Sequence, residues 1–374
     1  MKSIDEYLHL MDSNPEEKEI EETVSTIVET CPQFLATEDN TKLIPLSCFG
    51  ICHSGKCHPK YISLLAQAGR KLGIGGEEGR GGLILTVLNN LRVFASEHGS
   101  DVFKLLKNAN PPFFFKEDIV NFDLLHYAVQ TKNIEMIKYL TELDPSCLYS
   151  EAENVGYAIG LTCFYLREKE EEKEKQCLET AQYLLHRAIV ENPSNPTVGG
   201  LFAKVKFNNC SDLVLNRLVK RYGEERTWDC IEKALSSFPN LTILHQTIKC
   251  APHHCLMAMS KFPDSMLVRD ANNRLPIHVA LECGMPWTHL LVSIINANRS
   301  HLKDIDPITK WPPFVLAGLD DEKSCDLRTI YYLLRKNPEH VELIFNGGSK
   351  YKKRKISNEA DNAKGGSKRG KTNK

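Results

Sequence analysis

The chain has 374 residues, 42% of them apolar, 25% charged and 8% aromatic, with a formal net charge of −1. That apolar share excludes a wholly disordered chain, and no uncharged apolar run reaches the roughly 18 residues a membrane helix needs. The opening MKSIDEYLHLMDSNPEEKEI has two acidic residues among its first six and no apolar core, so it does not read as a signal peptide. A soluble intracellular protein, nuclear or cytoplasmic, is expected.

The 13 cysteines are spread from Cys31 to Cys325 and are odd in number. Disulfide frameworks belong to short secreted chains, so these thiols are expected to be reduced and to serve mostly as small buried apolar residues. The near-zero charge hides a split. Residues 346–374 carry ten Lys and Arg against two acids, a net +8. The preceding 345 residues hold 37 basic and 46 acidic residues, a net −9.

In chain order, the first patterned segment is CPQFLATEDNTKLIPL, from Cys31, which ends in IPLSC with Ser47. CFGICHSGKCH follows, placing Cys48, Cys52, His53, Cys57 and His58 within eleven residues. Those side chains can ligate zinc. Their spacing nevertheless departs from paired C-x2-C, and CAPHHC (250–255) fills the equivalent place later, so no bound metal is expected. GIGGEEGRGG (73–82) fits no phosphate-binding frame and reads as a loop. LLHYA (124–128) contains His126, and DPSCL follows YLTEL at 144–148. The charged stretch REKEEEKEKQ (167–176) mixes signs at helical spacing and predicts a solvated helix extension. Two stretches, about 156–189 and 198–235, are poorly patterned.

The clearest unit is RDANNRLPIHVALECG, Arg269 to Gly284. Asn273 suits a left-handed turn position, Pro276 suits the first turn of a helix, and Gly284 suits its end. WTHLLVSIINANR then predicts a second helix packed on the first. TILHQT repeats the helix start 33 residues upstream, with His245 preceding His278; PPFVLA, Pro312 to Ala317, repeats it 37 residues downstream, with Pro313 and Ala317 at the motif positions. FPDSMLVRDANNRLPI also matches the segment at Cys31, since Pro to Asp is seven residues in both and Pro to Pro thirteen.

This repeat resembles the ankyrin family, whose pattern reads D-x-x-G-x-T-P-L-H-x-A-x-x-x-G. Asp270, Pro276, His278, Ala280 and Gly284 match it; Asn273 stands for the turn Gly and Leu275 for the Thr. The resemblance implies an all-α, ankyrin-type helical-pair solenoid of about eight irregular repeats over residues 16–345. An N-terminal segment (1–15) precedes it and a disordered basic tail (346–374) follows. The best-marked units lie near 119–148, 241–268, 269–303 and 304–342. It also implies that His126, His245 and His278 are structural, bridging neighbouring turns through hydrogen bonds.

The family binds proteins through turn tips and inner helices. Carried onto this sequence, that implies an unidentified protein partner met by Tyr127, Gln130, Gln246, Lys249, Arg269, Asn272, Arg274, Glu282, Lys310 and Trp311. No cofactor, no catalysis and a monomeric state are expected. In the tail, Lys350, Lys352, Lys353, Arg354 and Lys355 read as a nuclear-import signal or, alternatively, as a nucleic-acid contact in a chromatin- or RNA-associated adaptor. GGSKRGKT (365–372) fits the phosphate-loop letters, but only two residues follow it, so no helix supplies the required N–H groups.

Overall fold

The computed structural model describes residues 26, 30, 116–121, 123–152, 156–163, 171–207, 210–318 and 326–338. The IPLSC unit, the Cys48–His58 cluster, the Gly73–Gly82 run and the basic tail with Lys350, Lys352, Lys353, Arg354 and Lys355 lie outside the described residues. The chain divides into two compact units, Met1–Ala234 and Leu235–Lys374. The described residues are mostly helical, and none of their helices is long and apolar enough to cross a membrane.

In the first unit, α1 (Lys116–Asn121) leads into α2 (Leu124–Gln130) and α3 (Ile134–Leu143), which pack together. Helix α2 buries Leu124, Leu125, His126, Ala128 and Val129. Helix α3 begins where the Asn133 side chain accepts from the Met136 amide at 3.0 Å, a cap that satisfies a free N–H. Asp144 ends α3, and its carboxylate accepts from the Ser146 amide, starting the 3-10 turn Pro145–Tyr149.

A short antiparallel hairpin follows, β1 (Glu151–Ala152) with β2 (Gly156–Tyr157). The next turn of 3-10 helix, Ala158–Cys163, is buried along its whole length and packs against α2. It also contacts α4 (Glu171–Glu191). Of the expected solvated extension at 167–176, residues 171–176 open α4, and 167–170 lie outside the described residues. Glu171, Glu172 and Glu174 form the acidic first turn of α4, which suits the positive helix end. Apolar burial on α4 starts only at Cys177. Gly199 sits at φ +62, and a Cβ there would meet Leu185 Cδ1 at 2.9 Å, so the position requires glycine.

A second hairpin, β3 (Lys204–Phe207) with β4 (Cys210–Leu213), precedes α5 (Val214–Tyr222) and α6 (Glu224–Leu235). Helices α4 and α6 lie side by side. His186 Nδ1 is 2.9 Å from the Ala234 carbonyl, and Arg226 Nη1 is 3.1 Å from Glu174 Oε2. The two hairpins depart from a purely helical expectation. Over 204–207 the sequence alternates polar and apolar residues, Lys-Val-Lys-Phe, a period of two that suits a paired strand.

The second unit contains three helix pairs among its described residues. They are α7 (Ile243–Cys250) with α8 (Cys255–Lys261), α9 (Pro276–Glu282) with α10 (His289–Ala297), and α11 (Pro313–Leu316) with α12 (Leu327–Lys336). The first helices touch in succession, α7 on α9 and α9 on α11. Pro276 and Pro313 both take the first helical turn, where the missing N–H costs nothing. Gly284, at φ +67, ends α9 while its amide donates to the Leu281 carbonyl at 3.0 Å. Helix α9 buries every residue from Pro276 to Leu281. Its Ile, Val and Leu side chains each contribute about 1.5–3 kcal/mol by leaving water.

Candidate functional site

Two turns of the second unit, 269–275 and 304–312, carry five of the residues the sequence marks for binding, and each is built around one aspartate. In the first, Asp270 Oδ1 accepts from the amides of Asn272 and Arg274, both at 2.9 Å. Asn273 adopts φ +61, the expected left-handed position. In the second turn, Asp306 Oδ2 accepts from the Thr309 amide at 2.9 Å and hydroxyl at 2.6 Å. Lys310 adopts φ +62 there. Asn273 and Lys310 are 37 residues apart, the same step as Pro276 to Pro313.

Side chains tie the turns together. Arg274 Nε donates to Asp306 Oδ1 at 2.8 Å, with both side chains buried. Arg274 Nη1 reaches Glu282 Oε2 at 2.6 Å. Nearer the surface, Arg269 Nη2 meets Asp304 Oδ2 at 2.8 Å. Burial alone would raise the Asp306 carboxyl, but the Thr309 donors and the Arg274 guanidinium outweigh it and hold it below the ordinary Asp value.

The three histidines share one role. His126 Nε2 lies 2.8 Å from the Gly156 carbonyl, His245 Nε2 2.9 Å from that of Arg274, and His278 Nε2 3.0 Å from that of Asp304. A carbonyl only accepts, so each Nε2 carries the proton. His278 Nδ1 in turn accepts from the Leu275 amide at 3.2 Å. Burial pushes the ring pKa of His245 and of His278 below the ordinary value, keeping both neutral.

Of the ten candidate contact residues, Tyr127 and Gln130 sit on α2 of the first unit, part-exposed. In the second unit Lys249, Arg269, Asn272, Glu282 and Lys310 are exposed, while Gln246 and Trp311 are part-exposed. Arg274 is a correction. Expected at an exposed tip, it is buried, because the Asp306 carboxylate draws its guanidinium inward. Glu282 is exposed but engaged by the same arginine.

Sequence reasoning missed Ile305 and Ile308, which are exposed on the second turn. It also missed α12, where Leu327 is 74% and Tyr331 58% exposed. The signal was available there as three- and four-residue spacing of Arg328, Tyr331, Tyr332 and Arg335.

No group of three or more His, Cys, Asp or Glu side chains among the described residues is placed to hold a metal ion. Cys147, Cys163, Cys177 and Cys255 are buried thiols. Burial pushes the thiols of Cys147, Cys163 and Cys255 up to about 12, where they are poor nucleophiles.

No protein-family model, curated protein or solved structure matches the chain.

Proposed function

We propose that this chain is a non-enzymatic, ankyrin-type scaffold that binds a protein partner. The observation that carries the reading is the repeated use of one histidine. His245 and His278, 33 residues apart, each spend their Nε2 proton on a main-chain carbonyl of the following turn. A histidine so committed is holding backbone rather than performing chemistry. Two further features agree with it: the successive contacts of α7, α9 and α11, and the matching left-handed residues Asn273 and Lys310. Stacked helix pairs leave turn tips and first-helix faces open along one side, the surface such arrays offer to partners.

The basic cluster Lys350, Lys352, Lys353, Arg354 and Lys355 is proposed to direct nuclear import. Deleting residues 346–374 then lowers the nuclear share of a tagged chain without unfolding it.

The binding reading is tested with the full chain as immobilised bait beside a variant carrying Arg269→Ala, Asn272→Ala and Lys310→Ala. All three side chains are exposed, so folding should survive their truncation. Discrete proteins retained by the parent and lost by the variant support the reading. Identical retention by both, or none by either, rejects it.

A further inference from the structure

Helix α12 has a face that the scaffold reading does not use. Around its axis, at 100° per residue, the exposed and part-exposed positions run Ile330, Leu334, Leu327, Tyr331, Arg335, Arg328, Tyr332 and Lys336, an apolar flank followed by an arc of rings and cations from Tyr331 to Lys336. The arc from Tyr331 to Lys336 covers about 140° of the circumference, with Thr329 and Leu333 buried on the other side. On this arc Arg335 and Arg328 lie between Tyr331 and Tyr332, with Lys336 beyond, and the helix itself carries no acid.

The rings are held in place. Tyr332 stacks on Trp287 with centroids 4.7 Å apart and planes 17° from parallel. Tyr331 meets Tyr332 edge-on at 5.4 Å, and the Arg328 guanidinium lies 5.9 Å from the Tyr332 centroid. The N-cap acid of α12, Asp326, is occupied in fixing this arrangement. Its carboxylate accepts from the amides of Arg328 at 3.1 Å and Trp287 at 3.2 Å, and from the Thr329 hydroxyl. Tyr331 therefore offers its ring outward from a rigid base while cations flank it on the same face.

We propose that this arc binds single-stranded nucleic acid, with Tyr331 stacking on a base and Arg328, Arg335 and Lys336 meeting the phosphates. Base stacking on aromatic rings beside a cationic track is how sequence-tolerant single-strand binding works. Charge complementarity favours this occupant over an apolar peptide, since Arg328, Arg335 and Lys336 share a helix that carries no acid of its own. Sequence continuity agrees: the +8 tail begins its run at Lys350, fourteen residues after Lys336.

The test is fluorescence anisotropy of the full chain with a fluorescein-labelled oligo-dT of about 20 nucleotides, a length beyond most single-domain footprints. Salt is varied from about 50 to 200 mM. Tyr331→Ala is expected to weaken binding roughly five- to hundredfold, and Tyr331→Phe to retain it. Arg328→Ala with Arg335→Ala should flatten the slope of log K against log salt by about 1.4.

Three results overturn the proposal. The first is no binding by the parent chain. The second is affinity and salt slope unchanged in the helix variants while deletion of 346–374 abolishes binding, which assigns the contact to the tail alone. The third is equal competition by polyglutamate of matched length, which assigns the face to acidic protein segments. A thermal midpoint shared by Tyr331→Ala and Tyr331→Phe separates lost stacking from lost fold.

Discussion

Arg274 and Asp306 form a buried ion pair across 32 residues of sequence, Nε to Oδ1 at 2.8 Å, with side-chain exposures of 3% and 0%. Each belongs to a different turn, so the pair joins the start of one helix pair to the start of the next. The Thr309 donors on Asp306 and the Glu282 carboxylate on Arg274 complete the cluster.

Removing Asp306 takes away the buried counter-charge of Arg274 and leaves its guanidinium only the exposed Glu282 carboxylate. Asp306→Ala is expected to lower the stability of the second unit by about 3–5 kcal/mol in urea unfolding. Pairing Arg274→Met with Asp306→Leu should cost less than Asp306→Ala, because an apolar pair leaves no stranded charge. A double variant worse than the single one would show that the cluster does more than cancel its own charges.

His278 makes two ring hydrogen bonds, to the Asp304 carbonyl and from the Leu275 amide. His245 makes one through Nε2, and its Nδ1 has no hydrogen-bond partner among the described residues. His278→Leu therefore strands the Leu275 amide and the Asp304 carbonyl, whereas after His245→Leu the Arg274 carbonyl still accepts from the Asp270 amide at 2.9 Å. At about 1–3 kcal/mol for each stranded group, the His278 variant should be the less stable by chemical denaturation.

Both rings have pKa values lowered by burial, so the folded chain holds them neutral while the unfolded chain takes up protons near the ordinary His value of about 6.5. The stability they contribute is present above that pH and is lost as pH falls from there toward the folded values. Asp306, held below the ordinary carboxyl value, adds a further loss only in stronger acid. The urea midpoint should drop from about pH 7.5 to about pH 5.5 in the parent, and drop less in a variant with both histidines replaced by Leu.

Lys310 and Asn273 occupy the same left-handed turn position, at φ +62 and +61. A side chain there costs about 1–2 kcal/mol, which Asn offsets through its short polar group better than Lys does. Lys310→Gly is expected to raise the thermal midpoint of the second unit, and Asn273→Gly to change it less. Equal shifts would show that the two turns carry equal strain and overturn this expectation.

Much of the local architecture was legible from residue type and spacing. Pro276 at a helix start, Gly284 at its end, Asn273 in the left-handed turn and the acidic run opening α4 all follow from backbone sterics and end charges within a few residues. The common task of His245 and His278 was legible too, because a 33-residue step marks equivalent positions.

The sequence alone determined where helices begin and end around the strongest repeats, and which residues repeat. Tertiary structure decided which side chains those helices hide. Arg274 reads as a surface cation until stacking of α9 on α11 brings the Asp306 carboxylate to it, an event set by residues more than thirty positions away. Strand pairing at 204–213 and the outward arc of α12 depend in the same way on what packs behind them. Local sterics are written within a few residues, whereas burial is a property of neighbours that the chain supplies only by folding.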